Sequence, residues 1–189
     1  MKELPSRLLG MALLGAFALH ACTKGAAQLQ EMVWLCHVAT ALMALGLLAG
    51  WHRLVAMGFI LHVGFGTVGW LLDVLAGHDT TASSVIIHGL TLVAGALEVR
   101  RRGWPEGVVL PAWLFFTAWV VGCHFLTDPA LNINLSHQTW GPLAQVMGGV
   151  WISGAFNSGC MLVGFFLSNA VLRRLTARSR SLAVDSAHG

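Results

Sequence analysis

Apolar residues run in long blocks along this chain, and polar residues collect in the short breaks between them. The blocks fall at 8–23, 31–50, 54–74, 81–98, 108–127 and 143–171. A spanning helix needs about 20 mostly apolar residues to cross a hydrocarbon core of roughly 30 Å, so the pattern predicts about six transmembrane helices. The last block is long enough to tilt, to bend at Gly148-Gly149, or to run out into the interface. Backbone polar groups must be satisfied internally in lipid, which leaves helices or a closed barrel, and the roughly ten-residue alternating strands of a barrel are not found in the sequence. The expected fold is therefore an all-α membrane protein, a bundle forming one domain over 1–175, followed by a polar, mobile tail over 176–189. Gly149 with Ser153 and Ala155 with Gly159 have the small-residue spacing that would let the last helix approach a neighbour closely.

Composition strengthens this reading. Hydrophobic residues make up 56% of the 189 and charged residues only 10%, against roughly one-quarter charged in an ordinary soluble domain. If the helices alternate in direction, one face receives Lys2, Arg7, Arg53, Arg100, Arg101, Arg102, Arg173, Arg174, Arg178 and Arg180, and the other receives Lys24 alone. That asymmetry places both termini in the cytoplasm of a bacterial inner (plasma) membrane protein, with the 24–30, 75–80 and 128–142 loops facing outward. The net charge of +3 then reports topology and contact with anionic headgroups. Membrane lipids are the expected partners, and no nucleic-acid module is present. At the amino terminus, Met1 to Arg7, an apolar run and Leu19-His20-Ala21-Cys22 imitate a lipoprotein signal ending at Cys22; an uncleaved first helix is the other reading.

Polar residues inside a bilayer are costly, which makes those within the spans functional candidates. At about 1.5 Å rise per residue, Cys36 and His37 fall about 8 Å below the outer end of the second helix, His88 about 10 Å below that of the fourth, and Cys123 and His124 about 5 Å below that of the fifth. Asp73 closes the third helix on the same side, and the outer loop adds Asp128, Asn132, Asn134 and His137. His62 falls near the midplane, as a neutral imidazole bonded to a neighbouring helix. His20, His52 and His78 read as interfacial, and His188 belongs to the tail.

Three chemistries suit such a stratum. In nucleophilic catalysis a cysteine is activated by an imidazole and its acyl intermediate is resolved by a second nucleophile. Cys36 and His88 suit those roles, with Asp73 to orient the imidazole, Asn132 or Asn134 to donate to an oxyanion, and Ser84 on the His88 face of the helix as a supporting partner. This chemistry needs no cofactor. A second possibility is ligation of haem, zinc or copper by His37, His88, His124 and His137. The third is structural: a disulfide between Cys36 and Cys123, or an accessory subunit without catalysis.

Leu35-Cys36, Ser84-Val85-Ile86-Ile87-His88-Gly89 and the loop Asn132-Ile133-Asn134-Leu135 resemble the YwaF-like bacterial integral membrane proteins. These are related to the androgen-induced fatty-ester hydrolases and the cysteine-dependent ether-phospholipid acyltransferase. The resemblance extends over about 31–150. It implies a six-helix bundle in which a membrane-embedded nucleophile and histidine handle the acyl chains of lipids, either as an acyltransferase or as a fatty-ester hydrolase. By position, Cys36 would accept the acyl group and His88 would be its base.

Overall fold

Helices account for nearly all of the residues described by this computed structural model, 4–77, 80–139 and 143–188 (4, 26, 27, 144 and 178–188 as backbone alone), and no strand occurs among them. We name six helices: α1 (Leu4–Thr23), α2 (Leu35–Ala49), α3 (His52–Leu75), α4 (Ala82–Arg102), α5 (Val109–Leu126) and α6 (Val150–His188). His78 and the side chain of His188 lie outside the described residues.

Among these helices, α1, α3, α4, α5 and the 150–177 part of α6 are long and apolar enough to cross a membrane. The second block departs from expectation. Its first part, Ala26–Val33, winds as a tighter 3-10 helix, Trp34 is extended (φ −55°, ψ 139°), and α2 has only 15 residues, about 22 Å at 1.5 Å per residue. The break has a visible cause. Asn134, reaching in from the 128–139 loop, accepts the Leu35 N–H at 2.7 Å and donates to the Val33 carbonyl at 3.1 Å. Two backbone groups flanking Trp34 are thereby bonded to a side chain from the loop, and α2 starts at Leu35. Cys36 and His37 therefore lie in the first turn of α2 and not, as the apolar block suggested, well inside it. The last block is also divided, into a turn at Leu143–Val146 and α6, with Gly149 between them at φ 120°, a backbone angle open to glycine.

α1 and α4 run in opposite directions, as do α2 and α3. Ser6 of α1 bonds Glu98 near the end of α4, while His20 at the other end of α1 bonds Ser83 at the start of α4. Gly46 meets Val55 where α2 turns into α3, and Cys36 meets Gly66 at the far end of the same pair. Gly50 makes that turn at φ 73°, and the Trp51 N–H closes it onto the Gly46 carbonyl at 2.8 Å, a usual way of ending a helix.

Two apolar clusters share the α2–α3 pair. One joins Leu35, Ile60, Leu61, Ala112, Phe116 and Phe165; the other joins Leu13, Met43, Leu47, Phe59, Ala94 and Val99. Close approach depends on glycines other than those expected. A Cβ on Gly149 or Gly159 would meet nothing, whereas one on Gly58 would fall 2.6 Å from Met43 and one on Gly95 2.1 Å from the Phe59 ring. The closest glycine seams thus lie on α3 and α4, where helices touch; early in α6, Gly149 and Gly159 face open space while Ser153 is buried.

Away from these seams the helices present Leu45, Leu72, Leu97, Leu114, Phe166 and Leu167 outward. Such an apolar exterior is suited to lipid and would be a liability in water. At one end of the bundle Glu98 is buried, held by Arg102 Nε at 2.6 Å and the Ser6 hydroxyl at 3.0 Å, with Arg101 at 3.6 Å. The candidate site is at the other end.

Candidate active site

A cavity of about 470 Å³ opens between α1, α2, α3, α4 and α6, within the range of small-molecule sites. Cys36, His37, Asp73, Ser84 and His88 all line it, so five of the expected site residues converge. His20, Lys24 and Glu31 line it as well, with Lys24 and Glu31 paired at 2.5 Å. The remaining wall is largely apolar, with Phe65, Val68, Leu72 and Met161.

The α3 helix builds one side of this cavity through a local irregularity. Residues His62–Gly66 form a π-helical turn, a widened turn that is frequent at functional sites. Three residues at steps of four then face the site. His62 donates from Nδ1 to the Cys36 carbonyl at 3.3 Å, Gly66 packs on Cys36 so closely that a Cβ would fall 2.8 Å from the Cys36 Cβ, and Trp70 stacks on the His88 ring with centroids 4.6 Å apart at 13°. The Cys36 carbonyl also accepts from the Thr40 hydroxyl at 2.8 Å, and Thr40 is bonded to Thr91 of α4. Backbone and side chains from three helices thus fix the residue that carries the thiol.

Protonation of the imidazoles can be read from their partners. His88 Nδ1 lies 2.9 Å from the Ser84 carbonyl and His37 Nδ1 lies 3.0 Å from the Glu31 carbonyl. A carbonyl only accepts, so each Nδ1 carries the hydrogen and each Nε2 keeps its lone pair. The Nε2 of His88 is buried and has no hydrogen-bond partner among the described residues. His88 and the Cys36 thiol therefore share the cavity without being bonded to one another in this conformation. The Ser84 contribution comes through its carbonyl. Asp73 lines the cavity, but the Nδ1 position from which it would orient His88 is occupied.

His20, read from the sequence as interfacial, packs inside the bundle. It is buried, bonded to Ser83 at 2.9 Å, and its ring lies 4.8 Å from that of His37, which lies 6.2 Å from His88; His62 follows at 5.2 Å from His88. Four helices thus deliver a row of imidazoles, of which His20, His37 and His88 line the cavity and His62 lies behind His88.

The expected asparagines are placed elsewhere. Asn134 is buried and spends its amide on Leu35, Val33 and the Cys123 sulfur (3.3 Å), while Asn132, at φ 42°, accepts from the His137 and Gln138 N–H groups and shapes the loop. The alternative ligands do not converge. His37 and His88 belong to the cavity, whereas His124 and His137 lie together beside Trp151, with ring centres 4.7 Å apart. Among the described residues no group of three or more His, Cys, Asp or Glu side chains is arranged to hold a metal ion. Cys36 and Cys123 are both free thiols, so the structural disulfide is not formed.

Two polar groups in the cavity wall were not foreseen. Trp70 Nε1 and Asn157 Nδ2 are buried donors without hydrogen-bond partners among the described residues. The only sequence signal was the spacing of four through His62, Gly66 and Trp70. No family model, curated protein or solved structure matches the chain.

Proposed function

We propose that this protein is a membrane-embedded lipid acyltransferase or fatty-ester hydrolase in which Cys36 accepts the acyl group and His88 is the base. The observation that carries this reading is that a half-buried thiol and a buried imidazole with a free Nε2 line one largely apolar cavity, the imidazole proton being held on the far nitrogen by the Ser84 carbonyl. The Cys36 proton passes to His88 Nε2 and the thiolate forms a C–S bond to the acyl carbon. The leaving alkoxide departs with the proton from His88. Water or a second alcohol, deprotonated by the same nitrogen, then breaks the thioester.

In this proposal all six helices cross a bacterial inner membrane, α2 doing so with the help of the 3-10 segment before it. Both termini are cytoplasmic and the cavity faces the outer leaflet. The clustering of Arg7, Arg53, Arg100, Arg101 and Arg102 at the helix ends opposite Lys24 supports that orientation. The apolar wall suits an acyl chain, and the Lys24–Glu31 pair sits where a headgroup would enter. The test is labelling of the purified protein by a long-chain β-lactone, which acylates a nucleophile by ring opening. Cys36→Ala and His88→Ala should each abolish labelling while the bundle stays folded; labelling equal to that of the unaltered protein would reject the reading.

A further inference from the structure

A buried N–H that finds no acceptor costs about 1–3 kcal/mol, so an orphaned donor in a cavity wall calls for an explanation. The cavity wall holds two, Trp70 Nε1 and Asn157 Nδ2. Only Trp70 is tied to both reacting groups. Its ring stacks on His88, and Gly66, one turn earlier on the same face of α3, packs against Cys36. Asn157 is anchored by the Thr139 hydroxyl at 3.0 Å, on the loop side of the cavity.

Resting on the Cys36–His88 reading, we propose that the Trp70 indole N–H is the donor that stabilises the oxyanion formed when Cys36 attacks an acyl carbonyl. When the C–S bond forms, the carbonyl π electrons move onto oxygen. That charge needs a preformed donor in a water-poor site. Collapse of the intermediate returns the electrons to carbon, the ester C–O bond breaks, and the alkoxide leaves with the proton held on His88. Trp70 is a hydrogen-bond donor only, so it stabilises the oxyanion without competing for the proton. The asparagines expected to serve this purpose have no comparable free donor in the cavity, since Asn134 is fully engaged and Asn132 bonds the Gln138 carbonyl at 3.1 Å.

Trp70→Phe keeps an aromatic ring for His88 to stack on and removes the donor. Two reactions of the purified full-length protein separate the possibilities: turnover of a medium-chain 4-nitrophenyl ester, which passes through an oxyanion, and alkylation of Cys36 by iodoacetamide, which displaces iodide and does not. The expected result is a loss of about 10²–10³-fold in kcat for the ester with the Cys36 alkylation rate within twofold of the unaltered protein. That second rate also reports an intact site. Ester turnover undiminished in Trp70→Phe overturns the proposal alone. A parallel fall in both rates overturns it in favour of a positioning role for the ring. Absence of Cys36-dependent turnover in the unaltered protein overturns the enzyme reading beneath it.

Discussion

Gly66 is where the account is most sensitive to a single atom. A methyl group added there would lie 2.8 Å from the Cys36 Cβ and 2.9 Å from its Cα. Carbon atoms prefer about 3.5–4.0 Å, so relief demands a displacement of roughly 0.7–1.2 Å. The Cys36 side can yield only by straining the Thr40 and His62 bonds to its carbonyl, and the α3 side only by moving Trp70 and the π-helical turn. Overpacking of this kind typically costs about 1–3 kcal/mol, and misplacement of a reacting group by about 1 Å can cost on the order of 10² in rate. Gly66→Ala should therefore lower the thermal midpoint by a few degrees in detergent, while Cys36-dependent turnover of the 4-nitrophenyl ester falls by about 10²-fold. Gly122→Ala, at a position of α5 where a Cβ meets nothing and which does not line the cavity, is the control and should do neither. Full turnover in Gly66→Ala would refute the claim that this contact sets the position of the thiol.

Other consequences follow from groups outside the reacting pair. Asn134→Gly keeps a residue at ease in the left-handed region (φ 57°) but leaves the Leu35 N–H without its side-chain acceptor, while the Val33 carbonyl keeps the Trp119 indole N–H at 2.9 Å. A loss of about 1–3 kcal/mol is expected, for one buried group left unpaired, measured by chemical denaturation. Glu98→Gln should cost about 1–3 kcal/mol through the weakened Arg102 and Ser6 bonds, while Cys36 alkylation proceeds at its usual rate because Glu98 lies at the opposite end of the bundle. Gly95→Ala places a methyl 2.1 Å from the Phe59 ring and should destabilise the α3–α4 seam by about 1–3 kcal/mol, visible as a lower thermal midpoint.

Much of the helical layout was legible because apolar block length is set by bilayer thickness and needs no knowledge of neighbours. The grouping of Cys36, His37, Asp73, Ser84 and His88 was legible for a related reason: alternating helices return the same depth at predictable chain positions. What was not legible depends on side chains meeting across the chain. The early end of α2 is set by Asn134, about a hundred residues away, and nothing near Trp34 announces it. The same contact removes Asn134 from the list of oxyanion donors. His20 reads as interfacial from its place at the end of an apolar block, yet packing of α1 against α4 buries it on Ser83. A π-helical turn has no compositional mark beyond Gly64 and Gly66 flanking Phe65 inside a long apolar helix. Trp70 resembles any belt tryptophan until its unpartnered N–H is seen against His88.

The claim on which the functional account stands is that Cys36 becomes acylated with His88 as its base. Intact mass followed by peptide mapping, after incubation with a long-chain acyl ester and acid quench, addresses it directly. The account predicts one acyl adduct per chain on the peptide bearing Cys36, formed at least 10²-fold more slowly in His88→Gln, as expected on loss of a general base. An adduct on Cys22, Cys123 or Cys160 instead, or one on Cys36 that forms equally fast without His88, would contradict it.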